Sequence, residues 1–143
     1  MAYSEALRNI SLKADSSLAG YTGVPGLPGS ADPNYGFQFR FVKVTGDRTC
    51  GLADTTSGEI VIGVIQNKPQ VTDQAATVAI QGVSYVQAGG TLVAGEAVKV
   101  DTVGRAVAWV GTGLTPDSPT LIVGLVLTGA ASGQIASVLL KTF

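Results

Sequence analysis

Between residues 37 and 110 no apolar run grows long, and that limits this chain more than any other feature. Phe-Gln-Phe-Arg-Phe-Val-Lys-Val begins at Phe37, Ile-Val-Ile-Gly-Val-Ile at Ile60, Thr-Val-Ala-Ile-Gln-Gly-Val-Ser-Tyr-Val at Thr77, and Ala-Val-Lys-Val at Ala97. Each run is short, β-branched or aromatic, and closed by glycine or a polar turn, which is the pattern of strands joined by hairpins. The fold class predicted is all-β: a small β-barrel or β-sandwich built from hairpins, with an extended N-terminal arm over residues 1–35 and a β-domain over 36–143.

Several local expectations follow. Period-two alternation places Phe37, Phe39 and Phe41 on one strand face, with Gln38, Arg40 and Val42 on the other. That face reads as core, or less simply as a ligand platform. Thr45-Gly46-Asp47-Arg48 reads as a tight turn. Asp101-Thr-Val-Gly104 reads as a hairpin loop between strands at 97–100 and 105–110, with Gly104 left-handed. Trp109 lies on the second of these strands, as a core side chain or as an interface anchor.

Residues 60–65 and 121–126 share one pattern: three aliphatics, a glycine (Gly63 or Gly124), then two aliphatics. A glycine inside a strand marks a bulge, a bend or a close backbone approach. Each run is followed by a polar loop and another strand. The two elements are expected to look alike, whether through internal duplication or because such strands are common.

The first 35 residues differ from the rest. They hold Pro25, Pro28 and Pro33 among several glycines, yet also Tyr3, Leu7, Ile10, Leu12 and Tyr21. A solvated linker would not carry that much apolar surface. The segment either packs across its own domain or docks on a partner subunit. Residues 4–8 are read as one helical turn and 9–13 as a short strand. The chain ends on apolar Phe143, which is expected to dock.

Composition narrows function mainly by exclusion. Charged residues make up 13% of the 143, where soluble domains carry about 25%. So uncharged a surface favours association. Nine basic and ten acidic residues are scattered singly, leaving no basic stripe for nucleic acid. The longest aliphatic run is too short for a membrane-spanning helix, and the first residues do not resemble a secretion signal. There is no histidine, which removes the usual triads, general bases and most zinc sites. Asp47, Asp54, Glu59, Asp73, Glu96, Asp101 and Asp117 lie in or beside turns, where carboxylates cap far more often than they catalyse. Cys50, the single cysteine, has no partner to activate it. No catalytic, cofactor-binding or metal-ligating residues are assigned.

The order of the pieces resembles a known family. Val-Lys-Val-Thr-Gly-Asp-Arg-Thr-Cys-Gly from Val42, then Val-Ile-Gly-Val-Ile from Val61, is similar to the opening of small tailed-bacteriophage capsid decoration, or cement, proteins. There a strand and turn of the form V-T-G-x-R-x-V precede a V-x-G-V step. Gly82-Val-Ser-Tyr-Val86 and the stretch from Ala88 to Val107 are similar to the family's next part: G-V-x-x-V, A-G-x-x-V-x-A-G-x-x-V, then D-x-x-G-R-A. The resemblance covers residues 37–110. It implies a structural virion protein, made in the host cytoplasm, that sits on the outer capsid surface and stabilises contacts between major capsid protein subunits. It further implies self-association, typically as a homotrimer, with no enzyme activity, cofactor, nucleic acid or membrane partner. The contact residues expected are Tyr3, Leu7, Ile10, Leu12 and Tyr21 of the arm, with Trp109 and Phe143. The alternative is a virion- or cell-surface β-domain that binds a receptor or glycan through an exposed cluster including Trp109 and Tyr85.

Overall fold

The structure, a computed structural model, describes residues 2–18, 36–54 and 59–141. They form nine strands: β1 Glu5–Ala14, β2 Phe41–Gly46, β3 Thr49–Leu52, β4 Val61–Ile65, β5 Ala75–Gln87, β6 Ala97–Val100, β7 Ala106–Ala108, β8 Gly124–Thr128 and β9 Ile135–Leu140. One turn of 3-10 helix, Pro119–Leu121, precedes β8. The strands make one sheet in the order β1-β3-β2-β4-β5-β9-β8-β6-β7, and β1 also pairs with β5. The all-β expectation holds.

That extra pairing closes the sheet on itself. β1 runs parallel to β3 through Lys13↔Thr49 and Ala14↔Cys50, and antiparallel to β5 from Glu5↔Val83 to Lys13↔Ala75. With β3 on β2, β2 on β4 and β4 on β5, five strands form a ring. β5 is 13 residues long. It serves β1 and β4 in its first half and β9 in its second, from Val83↔Leu139 to Gln87↔Ile135. The change falls at Gly82, whose φ is 102°. From β9 the ladder passes to β8, β6 and β7, and Ala88, just past β5, bridges to Ala106 of β7. The chain is therefore two small barrels sharing one strand, which decides between the barrel and sandwich alternatives. Closure hides strand edges that would otherwise recruit other chains.

The second barrel repeats the first pair for pair. Phe41↔Val64 and Val42↔Gly63 in the first become Ala97↔Leu125 and Val98↔Gly124 in the second. Val42↔Leu52 and Val44↔Cys50 become Val98↔Ala108 and Val100↔Ala106. The second half of β5 stands where β1 stands: Asp15 N donates to Cys50 O at 2.8 Å, and Gly89 N to Ala106 O at 2.7 Å. Inside, Ala14, Leu18, Val42, Cys50, Ile65, Ala76 and Val78 of the first barrel are buried, as are their counterparts Ala88, Leu92, Val98, Ala106, Val126, Ala136 and Val138. The likeness expected of the two aliphatic-glycine runs thus extends through both barrels.

The two glycines occupy one role. A Cβ on Gly63 would fall on the Ala79 carbonyl oxygen of β5, and one on Gly124 would lie 2.7 Å from the Leu139 carbonyl oxygen of β9. On β4 the register also slips, Val42 facing Gly63 but Lys43 facing Val61, so Ile62 is the extra residue of a bulge. The hairpin loop 101–104 has Gly104 left-handed as expected, with φ 79°. The matching residue of the first barrel is Arg48, with φ 50°.

Three local expectations need correction. Residues 4–8 make no helical turn. From Glu5 the chain is already strand, because pairing with β5 satisfies its backbone, and the misfit is absorbed by irregularities between Glu5 and Asn9 with Ala6 at φ 52°. The three phenylalanines do not share a strand face. Only Phe41 lies in β2, and Phe39 takes a left-handed φ of 67°. The turn seats buried Arg40 between the barrels, where its guanidinium donates to Gln87 Oε1 and Val103 O, each at 3.1 Å, and lies over the Phe37 ring. Third, the run at 121–126 is strand only from Gly124. Pro119 opens a 3-10 turn before it, with the Ser118 hydroxyl accepting from Thr120 N. Of the expected arm, Glu5–Ala14 is β1; residues 19–35 lie outside the described residues.

Two apolar clusters hold the molecule. The smaller fills the first barrel around Val42, Ile65 and Val78. The larger fills the second barrel and takes in Phe41, Val64 and Ala79. Neighbours along β2, β4 and β5 therefore point into different clusters, and these strands form a wall buried on both faces.

Candidate interaction surfaces

Among the described residues no three His, Cys, Asp or Glu side chains converge as a metal site would need. Burial, aided by the nearby Asp15 charge, pushes the Cys50 thiol up to about 11, leaving a protonated, inert group. Several of the described acidic side chains cap and brace. Asp101 accepts from Val103 N, Arg105 N and Arg105 Nε. Glu59 accepts from Asp54 N at 2.8 Å and pairs with Lys43 at 2.8 Å. Asp117, its counterpart, accepts from Val110 N at 2.8 Å and pairs with Lys99 at 2.7 Å.

These twin ion pairs differ electrostatically. Burial raises the Glu59 carboxyl above its ordinary range and outweighs the attraction of Lys43, while the hydrogen bond to Glu59 holds the Lys43 ammonium up. Asp117 is more open, and its hydrogen bond from Lys99, then that from Val110 N, lowers its carboxyl.

Among the described residues exposed apolar side chains such as Ile60, Val71 and Leu114 are scattered, but two groups gather several on one surface. The first lies at one end of the first barrel. Leu12, Val44 and Ile80 continue the inward alternation of Ala14, Val42 and Val78, but they fall where the barrel opens. With Ile10, Ile62, Arg8 and Gln81 they line an open pocket of about 360 Å³. Val44 is 57% exposed. The second is the outer face of the second barrel. There Ala97, Leu125 and Leu139 form one row across β6, β8 and β9, Leu125 is 39% and Leu139 42% exposed, and Trp109 lies beside them, its backbone N donating to Ala97 O.

The residues singled out from sequence separate accordingly. Ile10 and Leu12 come together in the pocket. Leu7, on the same strand, is half-buried and packs against the larger cluster. Tyr3 is partly exposed, and its backbone N and O both bond the Ser137 hydroxyl of β9, tying the chain start to the second barrel. Trp109 is half-buried just past β7, with Nε1 donating to Ser118 O at 3.0 Å. Tyr85, named with Trp109 for a glycan surface, is instead packed edge-on against Phe39, ring centroids 5.4 Å apart. Tyr21 and Phe143 lie outside the described residues. Sequence reasoning passed over Val44, Ile80, Leu125 and Leu139. The repeated Val-Lys-Val at 42–44 and 98–100, aligned together with the two glycine runs, would have exposed them.

No family model matches the chain, and no curated protein matches it. Among solved structures it is similar to the head fiber gp8.5 N base in bacteriophage phi29, with a TM-score of 0.61 and 16% identity, covering 95% of this chain and 95% of that one. At that identity the likeness is one of fold.

Proposed function

We propose that this chain is a structural protein of a bacteriophage virion, made in the host cytoplasm, that binds the outer surface of the assembled capsid and stabilises contacts between major capsid protein subunits. The observation that carries most weight is the end-to-end fold likeness to the base of a phage head fiber. The decoration-protein resemblance at 37–110 supports it independently. So do the weakly charged composition and the two exposed apolar surfaces, which suit a protein that spends its working life packed against neighbours.

In this reading the protein acts as a cement without catalysis, cofactor, nucleic acid or membrane contact, and as a homotrimer. Trimerisation makes capsid binding multivalent, so weak contacts per copy accumulate to gains on the order of a hundredfold or more. The N-terminal segment around Tyr3, Leu7, Ile10, Leu12 and Tyr21 contributes contacts, as do Trp109 and Phe143.

The experiment is uptake by purified shells that lack the protein, followed by native mass spectrometry and by the temperature at which shells rupture. Saturable uptake at a fixed copy number, with a raised rupture temperature, is the expected result. Shells that ignore the protein would sink the capsid reading, and binding on a glycan array would then favour the receptor alternative.

A further inference from the structure

We propose that the outer face of the second barrel docks into the open end of the first barrel of another copy, head to tail. This deepens the self-association part of the function reading and is independent of its capsid part.

The chain has already built this contact once, inside itself. The outer face of its first barrel presents Phe41, Ala53, Val64 and Ala79. All four are buried in one continuous cluster with Val86, Val100 and Leu140, which lie at the end of the second barrel. One barrel's outer face thus plugs the other's mouth. A backbone bond completes the joint, Phe41 N donating to Gly104 O at 2.8 Å.

The repeat says where each half of the joint recurs. The counterparts of Phe41, Ala53, Val64 and Ala79 are Ala97, Trp109, Leu125 and Leu139: the outer row of the second barrel, where the two leucines are exposed and Ala97 and Trp109 half-buried. The counterparts of Val86, Val100 and Leu140 are Leu12, Val44 and Ile80: the lining of the open pocket. The polar bond has counterparts in Ala97 N and Arg48 O, although Arg48 O already accepts from Lys13 N at 2.7 Å and would take a second donor. One copy therefore carries a plug without a socket and a socket without a plug.

Volume is redistributed between the two plugs. Ala97 is smaller than Phe41, but Trp109, Leu125 and Leu139 are larger than Ala53, Val64 and Ala79, and the pocket they would enter is open, with a volume of about 360 Å³. The plug row Ala97, Trp109, Leu125 and Leu139 is uncharged, and five of the seven residues lining the pocket are apolar; Arg8 and Gln81 are the polar ones and would have to keep water or find a partner at the edge of the contact. The two patches differ, so the interface is heterologous. Such contacts close into a ring when the rotation permits and otherwise run on as a filament.

The test is the mass of the full-length protein in solution, for the natural chain and for Leu139→Asp and Val44→Asp, alone and mixed. Both sites are exposed, so each variant is expected to keep the natural far-UV circular dichroism. The natural chain is expected to associate at ~100 µM or below. Each variant alone is expected to be monomeric, with association weakened on the order of a hundredfold or more by a buried unpaired charge. Mixed, they retain one intact plug and one intact socket and are expected to form one-to-one dimers and nothing larger.

A natural chain that stays monomeric, a variant that keeps the natural assembly, or a mixture that yields only monomers would overturn the proposal. A monomer that still binds shells would overturn this interface and leave the capsid reading standing. An assembly that ignores shells would do the reverse.

Discussion

The two barrels follow one plan with different materials. The first is closed by β1, and its mouth is open; the second is closed by the far half of β5, and its mouth is plugged by the first. Where the second uses Gly95, Gly104 and Gly133 at left-handed positions, the first uses Phe39, Arg48 and Asp73. What survives between them is the set of seven inward apolar positions and the glycine at each neighbouring carbonyl. These are the positions where volume and backbone approach leave least freedom.

The largest test of this comparison is Phe41→Ala. Phe41 is buried where the barrels join, so its loss should cost about 3–5 kcal/mol in denaturant unfolding. Leu139→Ala, at the matching row of the second barrel, should cost about 1 kcal/mol or less in dilute protein, because no neighbour covers it there. Equal effects would mean that the row is not open.

Next come the glycines. Gly63→Ala and Gly124→Ala should each destabilise by about 1–3 kcal/mol, since both place a methyl against backbone of the adjacent strand. Gly63 should be the worse, because its methyl would fall directly on the Ala79 carbonyl oxygen, while at Gly124 the nearest atoms, Val138 Cγ1 at 2.5 Å and Leu139 O at 2.7 Å, are less close. A reversed order would show that β4 and β8 do not bear on their neighbours alike.

The turn residues should move in opposite directions. Arg48→Gly should stabilise by up to about 1 kcal/mol, relieving a left-handed non-glycine. Gly104→Ala should destabilise, since its φ is 79° and its Cβ would meet Leu52 Cδ1 at 2.7 Å. Thermal melts of both variants settle this, and a destabilised Arg48→Gly would break the equivalence of the turns.

The smallest effect is pH-dependent. Lys99 and Val110 N hold the Asp117 carboxyl below its ordinary 3.8. Its contribution is therefore complete above that value and lost as pH falls through the lower value of the folded chain. Asp117→Asn should melt slightly below the natural protein at neutral pH, and the gap should close as the solution is made acid enough to protonate Asp117 in the folded chain. A gap that persists in acid would assign the loss to geometry instead of charge.

Much of the fold was legible, and the illegible part has identifiable causes. Short broken runs announced strands, and Gly63 and Gly124 announced matching elements, because both signals are local. Membership of β1 in the first barrel was not legible, since its partner β5 is distant in sequence and residues 4–8 carry no strand pattern. The phenylalanine alternation misled because buried Arg40, satisfied by Gln87 and Val103, turns the chain at Phe39. The full repeat was hidden by the stretch at 19–35, which has no counterpart in the second half, and by unlike residues such as Ala53 and Trp109 at matching positions. The exposed surfaces were missed with it, because exposure of Val44 or Leu139 follows from what the other barrel covers.

β5 ties the two barrels into one mechanical unit. It finishes one barrel and begins the next without a linker, so the two have no hinge at which to swing independently. Pulling at one end of the molecule would strain a single continuous backbone, with rungs of hydrogen bonds on both flanks sharing the force together. Two barrels joined this way are expected to come apart together, not one after the other.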